Sequence, residues 1–134
     1  LLHPTMKVRG TELTDYPIST AMESVRPYLH KAPYTALPFA DNEFDFVIAI
    51  AVVYNLNLAD AIQSLHEIQR VGKGKSFITL ASYTTEKDLR LFCYWTLLGA
   101  TILREEEWVT VLQHVGYTGD YKLTTAESLN LIEE

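Results

Sequence analysis

Cysteine is nearly missing from this chain of 134 residues: Cys93 stands alone, so no internal disulfide can form and no cysteine-based zinc site can be assembled. Long hydrophobic runs are missing too. The longest, Phe46 to Tyr54, is nine residues, whereas a membrane-crossing helix needs about 20. The first residues, Leu1-Leu2-His3-Pro4-Thr5-Met6-Lys7, contain no basic segment leading into an apolar run and a small-residue cleavage site, so a cytoplasmic location without membrane partner is expected. Positive charge is in short supply, with 11 Lys and Arg against 17 Asp and Glu; the net charge of −6 is a poor field for a phosphate backbone, and nucleic acid is not expected as a partner. The four histidines lie far apart, no two at helical ligand spacing, so no metal site is expected. What the chain does have is apolar residues, 48% of the total, enough for a core in one domain spanning 1–134.

Periodicity orders the elements. Met6 to Leu13 alternates apolar with polar as a short strand does. Thr14 is placed to cap a helix from Asp15, with Pro17 in its first turn and Ile18, Ala21, Met22 and Val25 on one face, ending before Pro27. A short strand fits Tyr34 to Leu37. Phe44 to Val53 is apolar on both faces and β-branched, the pattern of a central strand covered on both sides. Asn57 caps the next helix, whose Leu58, Ala61, Ile62, Leu65 and Ile68 share a face, and Gly72 and Gly74 supply a left-handed stop. Ser76 to Ala81 is the following strand, helices fit Glu86 to Leu98 and Glu105 to Val115, and Tyr117 to Thr125 with Leu129 to Ile132 suits a closing pair of strands. Alternating strands and helices predict an α/β layered sheet with right-handed crossovers.

Three phrases resemble a known family. Leu37-Pro38-Phe39-Ala40-Asp41-Asn42-Glu43-Phe44-Asp45-Phe46-Val47-Ile48 is similar to the entry of the fourth strand in class I S-adenosylmethionine-dependent methyltransferases. His66 to Lys75 resembles the helix end and glycine turn before that family's fifth strand, and Glu107-Trp108 through Gly116-Tyr117 resembles its late helix. The tail Gly116-Tyr117-Thr118-Gly119-Asp120-Tyr121 is similar to a bacterial subgroup linked to surface-polysaccharide synthesis. The resemblance implies a Rossmann-like sheet in a three-layer α/β/α arrangement. It also implies methyl transfer to a small-molecule acceptor, a sugar or polysaccharide precursor among the candidates.

Carried onto this sequence, the resemblance implies that Glu12, at the end of the first recognisable strand, accepts the two ribose hydroxyls of the cofactor, with Leu13 beside it. Ala36 and Leu37 would run along the adenine, where Pro33 stands at the position that relatives often give an acidic partner. Ala51 would face the sulfonium, and Tyr54, Asn55 and Tyr83 would stand nearest the transfer. Each has a plainer reading: Glu12 as a solvated strand-end charge, Tyr83 as an aromatic lid. Phe92, Tyr94 and Trp95 suit a substrate pocket, a core or a subunit contact.

One expected part is missing. The family's first strand, first helix and the glycine-rich turn that cradles the methionine portion would precede Lys7, so the sheet is expected to be truncated and S-adenosylmethionine binding by this chain weak or absent. The gap exposes strand edges at Lys7 to Leu13 and at Phe44 to Val53, to be closed by direct pairing of those strands or by a homodimer. Two other accounts stay open: an inactive methyltransferase-fold remnant acting as an interaction module, and a nicotinamide-dependent Rossmann oxidoreductase.

Overall fold

The computed structural model describes residues 5–132, in two compact units divided between Pro38 and Phe39. The first unit holds β1 (Gly10–Glu12), α1 (Asp15–Thr20), a 3-10 turn (Arg26–Tyr28) and β2 (Leu29–Lys31). β1 and β2 are parallel, with Gly10 opposite Leu29 and Glu12 opposite Lys31. A Cβ on Gly10 would come within 2.8 Å of Leu29 Cδ2, so this close strand approach is what requires glycine there.

Three expectations are corrected in this unit. α1 ends at Thr20, not near Val25: the Ser19 and Thr20 hydroxyls donate to the carbonyl of Tyr16 and Ala21 turns extended, which leaves Met22 and Val25 exposed. Thr14 occupies the N-cap position without a side-chain cap bond. Tyr34 to Leu37 is a turn, closed by Ala36 N–H on Pro33 O at 3.1 Å, and the strand is Leu29–Lys31 instead. The partner of β1 is therefore β2.

The second unit holds β3 (Val47–Ala49), a 3-10 turn (Val53–Asn55), α2 (Leu58–Val71), β4 (Ser76–Ala81), α3 (Glu86–Trp95), α4 (Glu105–Val115) and β5 (Asp120–Thr124). Its sheet is parallel throughout, in the order β3-β4-β5. The central strand is β4, not the Phe44 segment, and β3 keeps only three residues because the backbone leaves the extended region at Ala51, φ 55°. Ala61, Leu65 and Ile68 of α2 and Trp108, Leu112 and Val115 of α4 join Ala49, Ile78 and Leu80 in one buried cluster. Phe46, Ile48 and Ile50, alternate residues on the opposite side of β3, are exposed, so this strand is covered on one face and not on both. The tail gives one parallel strand; Leu129 to Ile132 turns back, with Leu131 N–H on Ala126 O.

Asn57 caps α2 through Asp60 N–H at 2.9 Å. Beyond α2, Gly72 is not left-handed; Lys73 and Gly74 are, at φ 51° and 71°. Gly116 ends α4 at φ 69°, a conformation glycine adopts without steric cost.

The recurring phrases of the sequence prove to be tied to one another. Arg70 Nε and Nη2 meet the Glu67 carboxylate at 2.5 and 3.0 Å, while Nη1 donates to Phe39 O and Asp41 Oδ1, both at 2.8 Å. The backbone carbonyls of Arg70 and Val71 take the N–H groups of Asn42 and Phe44. Gln69 reaches the third phrase, donating to Gly116 O and accepting from Thr118 N–H, each at 2.8 Å. The spacing of these phrases thus fixes where β3, β4 and β5 start.

Candidate active site

At the carboxyl end of β3 the chain makes a sharp exit. Ala51 sits in the left-handed region and its N–H donates to Thr79 Oγ1 of β4 at 2.9 Å. Asn55 Nδ2 then donates to Ala51 O at 2.8 Å, holding the 3-10 turn against the strand end. Tyr54, within that turn, is buried, and its ring packs edge-on against Phe92 of α3, which packs edge-on against Trp95, at centroid distances of 5.9 and 5.6 Å. The carbonyl of Tyr54 accepts the N–H groups of both Ala100 and Thr101 at 2.9 Å, and Thr101 Oγ1 donates to Leu56 O. The loop after α3 is therefore suspended from the same turn.

Between turn and loop lies a groove of about 440 Å³ lined by Ala51, Tyr54, Asn55 and the run Trp95 to Leu98. It stands at the carboxyl ends of parallel strands, where open α/β sheets bind their ligands. Burial raises the Tyr54 phenol pKa above its ordinary value of 10.0, so the hydroxyl stays protonated at neutral pH. A smaller depression of about 230 Å³, lined by Phe46, Gly74, Lys75, Ser76 and Thr118 to Asp120, opens at the amino ends of β4 and β5.

The structure brings Ala51, Tyr54 and Asn55 to one groove and places Tyr83 elsewhere. Tyr83 N–H donates to Leu103 O at 3.3 Å, and the Arg104 guanidinium lies 5.4 Å from the centre of its ring.

In the first unit, Glu12 ends β1 half-buried, with its carbonyl accepting Ala32 N–H at 3.0 Å. The Tyr34 phenol pKa is raised by burial and, secondarily, by the Glu12 carboxylate, which places the two side chains in electrostatic reach. Lys31, opposite Glu12 in register, is taken by Asp15 at 2.6 Å. Leu13 is exposed, Ala36 is exposed in the Pro33 turn and Leu37 is half-buried. Among the described residues no group of three His, Cys, Asp or Glu side chains comes together to hold a metal ion. None of the described helices is long and apolar enough to cross a membrane.

A family model described as Methyltransferase domain matches residues 1–80, more than half of the chain. The chain belongs to this family. The methyltransferase domain is thereby of the class I S-adenosylmethionine-dependent kind, mixed α/β with parallel sheets, and its family generally uses S-adenosylmethionine. The matched stretch contains Glu12, Leu13, Ala36, Leu37, Ala51, Tyr54 and Asn55; Tyr83 and the groove wall from Trp95 to Leu98 lie after it. No curated protein matches the methyltransferase chain.

Sequence reasoning missed Thr79, Thr96, Leu97, Leu98 and Arg104. For Leu97 and Leu98 a signal existed: Gly99 follows them directly, and a helix running to Leu98 was an overextension by three residues past Trp95. Thr79 carried none, because a threonine inside a strand looks the same whether or not its hydroxyl anchors a neighbour.

Proposed function

We propose that this domain serves methyl transfer from S-adenosylmethionine to a small-molecule acceptor, a sugar or polysaccharide precursor being the class suggested by its closing phrase. The observation that carries the reading is the convergence of Ala51, Tyr54 and Asn55 on one groove at the carboxyl end of β3.

The described residues fit the nucleoside half of the cofactor. Glu12 offers two acceptor oxygens at a strand tip, the chemistry a vicinal diol requires, with the Tyr34 turn beside it. For the methionine half they supply no paired-glycine turn, and Gly10 is already accounted for by Leu29. When bound, S-adenosylmethionine supplies an electrophilic methyl group and a thioether leaving group. The residues of the chain contribute positioning, which accounts for most of the acceleration in such an in-line displacement. Asn55 Nδ2 is committed to Ala51 O, so its Oδ1 is the atom that can accept from an acceptor hydroxyl. Tyr54 stays neutral, and Trp95, Leu97 and Leu98 give the groove an apolar wall.

Calorimetric titration with S-adenosylmethionine and with adenosine tests this. Both are expected to bind more weakly than micromolar and within a few-fold of one another, because only the nucleoside is gripped. Micromolar S-adenosylmethionine binding without adenosine binding would overturn the assignment of the residues. Appending whatever the gene encodes before Leu1 tests the reaction itself: gain of tight cofactor binding supports the enzyme.

A second reading, an interaction module that forms a homodimer, is favoured by the exposed row Phe46, Ile48 and Ile50 along β3, an edge strand. Sedimentation equilibrium of the wild type and of Ile48→Lys decides it: a dimer lost in the variant supports the module, and a monomer in both discards it.

A further inference from the structure

The lining of the groove says more about the acceptor than the family does. None of the residues around it carries a charge, so a phosphate or carboxylate on the acceptor would find no cation there. Its outer wall is apolar and open: Leu97 is 94% exposed, Leu98 73% and Trp95 52%, and a contiguous exposed apolar patch marks an interaction surface or a ligand groove. The wall is also held from behind. Trp95 continues an edge-on aromatic series through Phe92 to Tyr54, and the loop that carries Leu97 and Leu98 returns to the Tyr54 carbonyl through Ala100 and Thr101. Its polar lining comes from Asn55, whose Nδ2 is held by Ala51 O, and from Thr96.

We propose that the acceptor is an uncharged amphiphile, with an alkyl or aromatic body lying on Trp95, Leu97 and Leu98 and a small hydroxyl-bearing head at Asn55. This rests on the methyl-transfer reading for the purpose of the site and deepens it by naming the substrate class. A small molecule fits better than a membrane surface, because polar Asn55 and Thr96 line the shallow groove beside its apolar side chains and the chain's net charge of −6 opposes approach to anionic lipid.

The probe is n-octyl β-D-glucopyranoside, titrated below its micelle threshold with D-glucose as control. The readout is tryptophan fluorescence: Trp95 borders the groove while Trp108 is fully buried, and Trp95→Phe identifies the reporter. A saturable blue shift with the alkyl glucoside and none with glucose is expected. The double variant Leu97→Ser/Leu98→Ser should raise the dissociation constant about tenfold or more, since it removes the apolar surface on which the alkyl body lies. Both leucines are exposed, so the urea midpoint of that variant should match the wild type; Leu98→Gln alone is the fallback if it does not. A response to glucose equal to that of the glucoside, a shift that never saturates, or saturation unaffected by the leucine variants would overturn the proposal. So would flotation with phosphatidylcholine vesicles without saturable glucoside binding, which assigns the patch to a membrane, or dimerisation abolished by the leucine variants, which assigns it to a second copy. S-adenosylmethionine is left out of these titrations, so failure of cofactor binding and failure of the acceptor class are seen separately.

Discussion

The N–H of Ala51 donates to the hydroxyl oxygen of Thr79, 28 positions later in sequence, at 2.9 Å. Through this one bond the central strand decides where β3 stops. A non-glycine residue at φ 55° is held in a sparsely populated conformation, and an anchored N–H offsets part of that cost. Thr79→Val removes the acceptor and preserves the shape. It should lower stability by about 1 kcal/mol in urea titration, with Thr79→Ser close to wild type. Ala51→Gly should recover much of that loss in the Thr79→Val background, because glycine takes up the conformation without the bond.

Arg70 joins helix α2 to the turn before β3 through the Glu67 carboxylate, Phe39 O and Asp41. Glu67 is 8% exposed, so removing Arg70 takes a countercharge from a carboxylate largely out of water. Arg70→Ala is expected to cost about 2–3 kcal/mol, and Arg70→Lys more than half of that, since an ammonium cannot present the planar fork. Chemical denaturation of the two variants checks the order. Asp41→Ala, touching only the exposed arm of the same guanidinium, should fall within about 1 kcal/mol of wild type.

The elements legible in the sequence were those whose signals are local. Asn57 before a run of apolar residues at helical spacing, and Gly116 after another, marked α2 and α4 within a residue of their observed ends. Ser76 to Ala81 was legible because a short, mostly apolar run with β-branched residues follows the glycine turn. The Phe44 to Val53 run misled because its end is set by Thr79, a tertiary bond that leaves no mark in the run itself. Leu29–Lys31 was hidden because three residues between Pro27 and Pro33 are too few to show an alternation. At the site, the turn residues Ala51, Tyr54 and Asn55 followed from their position after an apolar strand. Leu97 and Leu98 were disguised as one more turn of helix.

Helix α3 depends on a reciprocal cap. Thr85 Oγ1 accepts Asp88 N–H at 3.1 Å, and the Asp88 carboxylate accepts from the Thr84 hydroxyl and from the N–H groups of Thr84 and Thr85. The Thr84 hydroxyl is the main cause that holds the Asp88 carboxyl below its ordinary 3.8, so the cap's contribution is present above that pH and is lost as pH falls through the lowered folded value. Asp88→Ala should cost about 1 kcal/mol at pH 7, and its difference from wild type should shrink as pH falls through the lowered folded value. Because α3 carries Phe92 and Trp95, the same variant should loosen the groove, seen as a red shift of Trp95 emission.

Tyr54 and Tyr117 both have phenol pKa values raised above 10.0, chiefly by burial. The folded chain then holds these protons more tightly than the unfolded chain. Stability is therefore flat below about pH 10 and declines as pH rises through the folded values. Urea midpoints measured between pH 8 and pH 11 should show that decline. Tyr54→Phe, which removes an ionisable group without removing its ring from Phe92, should make the decline shallower. An equally steep decline in the variant would show that Tyr54 ionises as freely in the fold as out of it.

Glu12 is the residue on which the nucleoside reading turns. Its carboxylate lies at the tip of β1 in reach of Tyr34, and Lys31 across the register is engaged by Asp15, so the acceptor oxygens are not neutralised from that side. A diol donates two hydrogen bonds and needs two acceptors. Glu12→Ala should weaken adenosine binding about tenfold or more, in line with two charge-assisted bonds at roughly 1.5 kcal/mol or above each, offset by solvent access. Glu12→Gln keeps one acceptor and should fall between. The discriminating ligand is 2′,3′-dideoxyadenosine: it keeps the base and loses both hydroxyls, so its affinity should be the same for wild type and both variants. Should Glu12→Ala weaken the dideoxy compound as much as adenosine, the carboxylate supports the Tyr34 turn and not the ribose. The test is sensitive to that difference because Glu12 and Tyr34 are coupled through the charge that raises the phenol pKa.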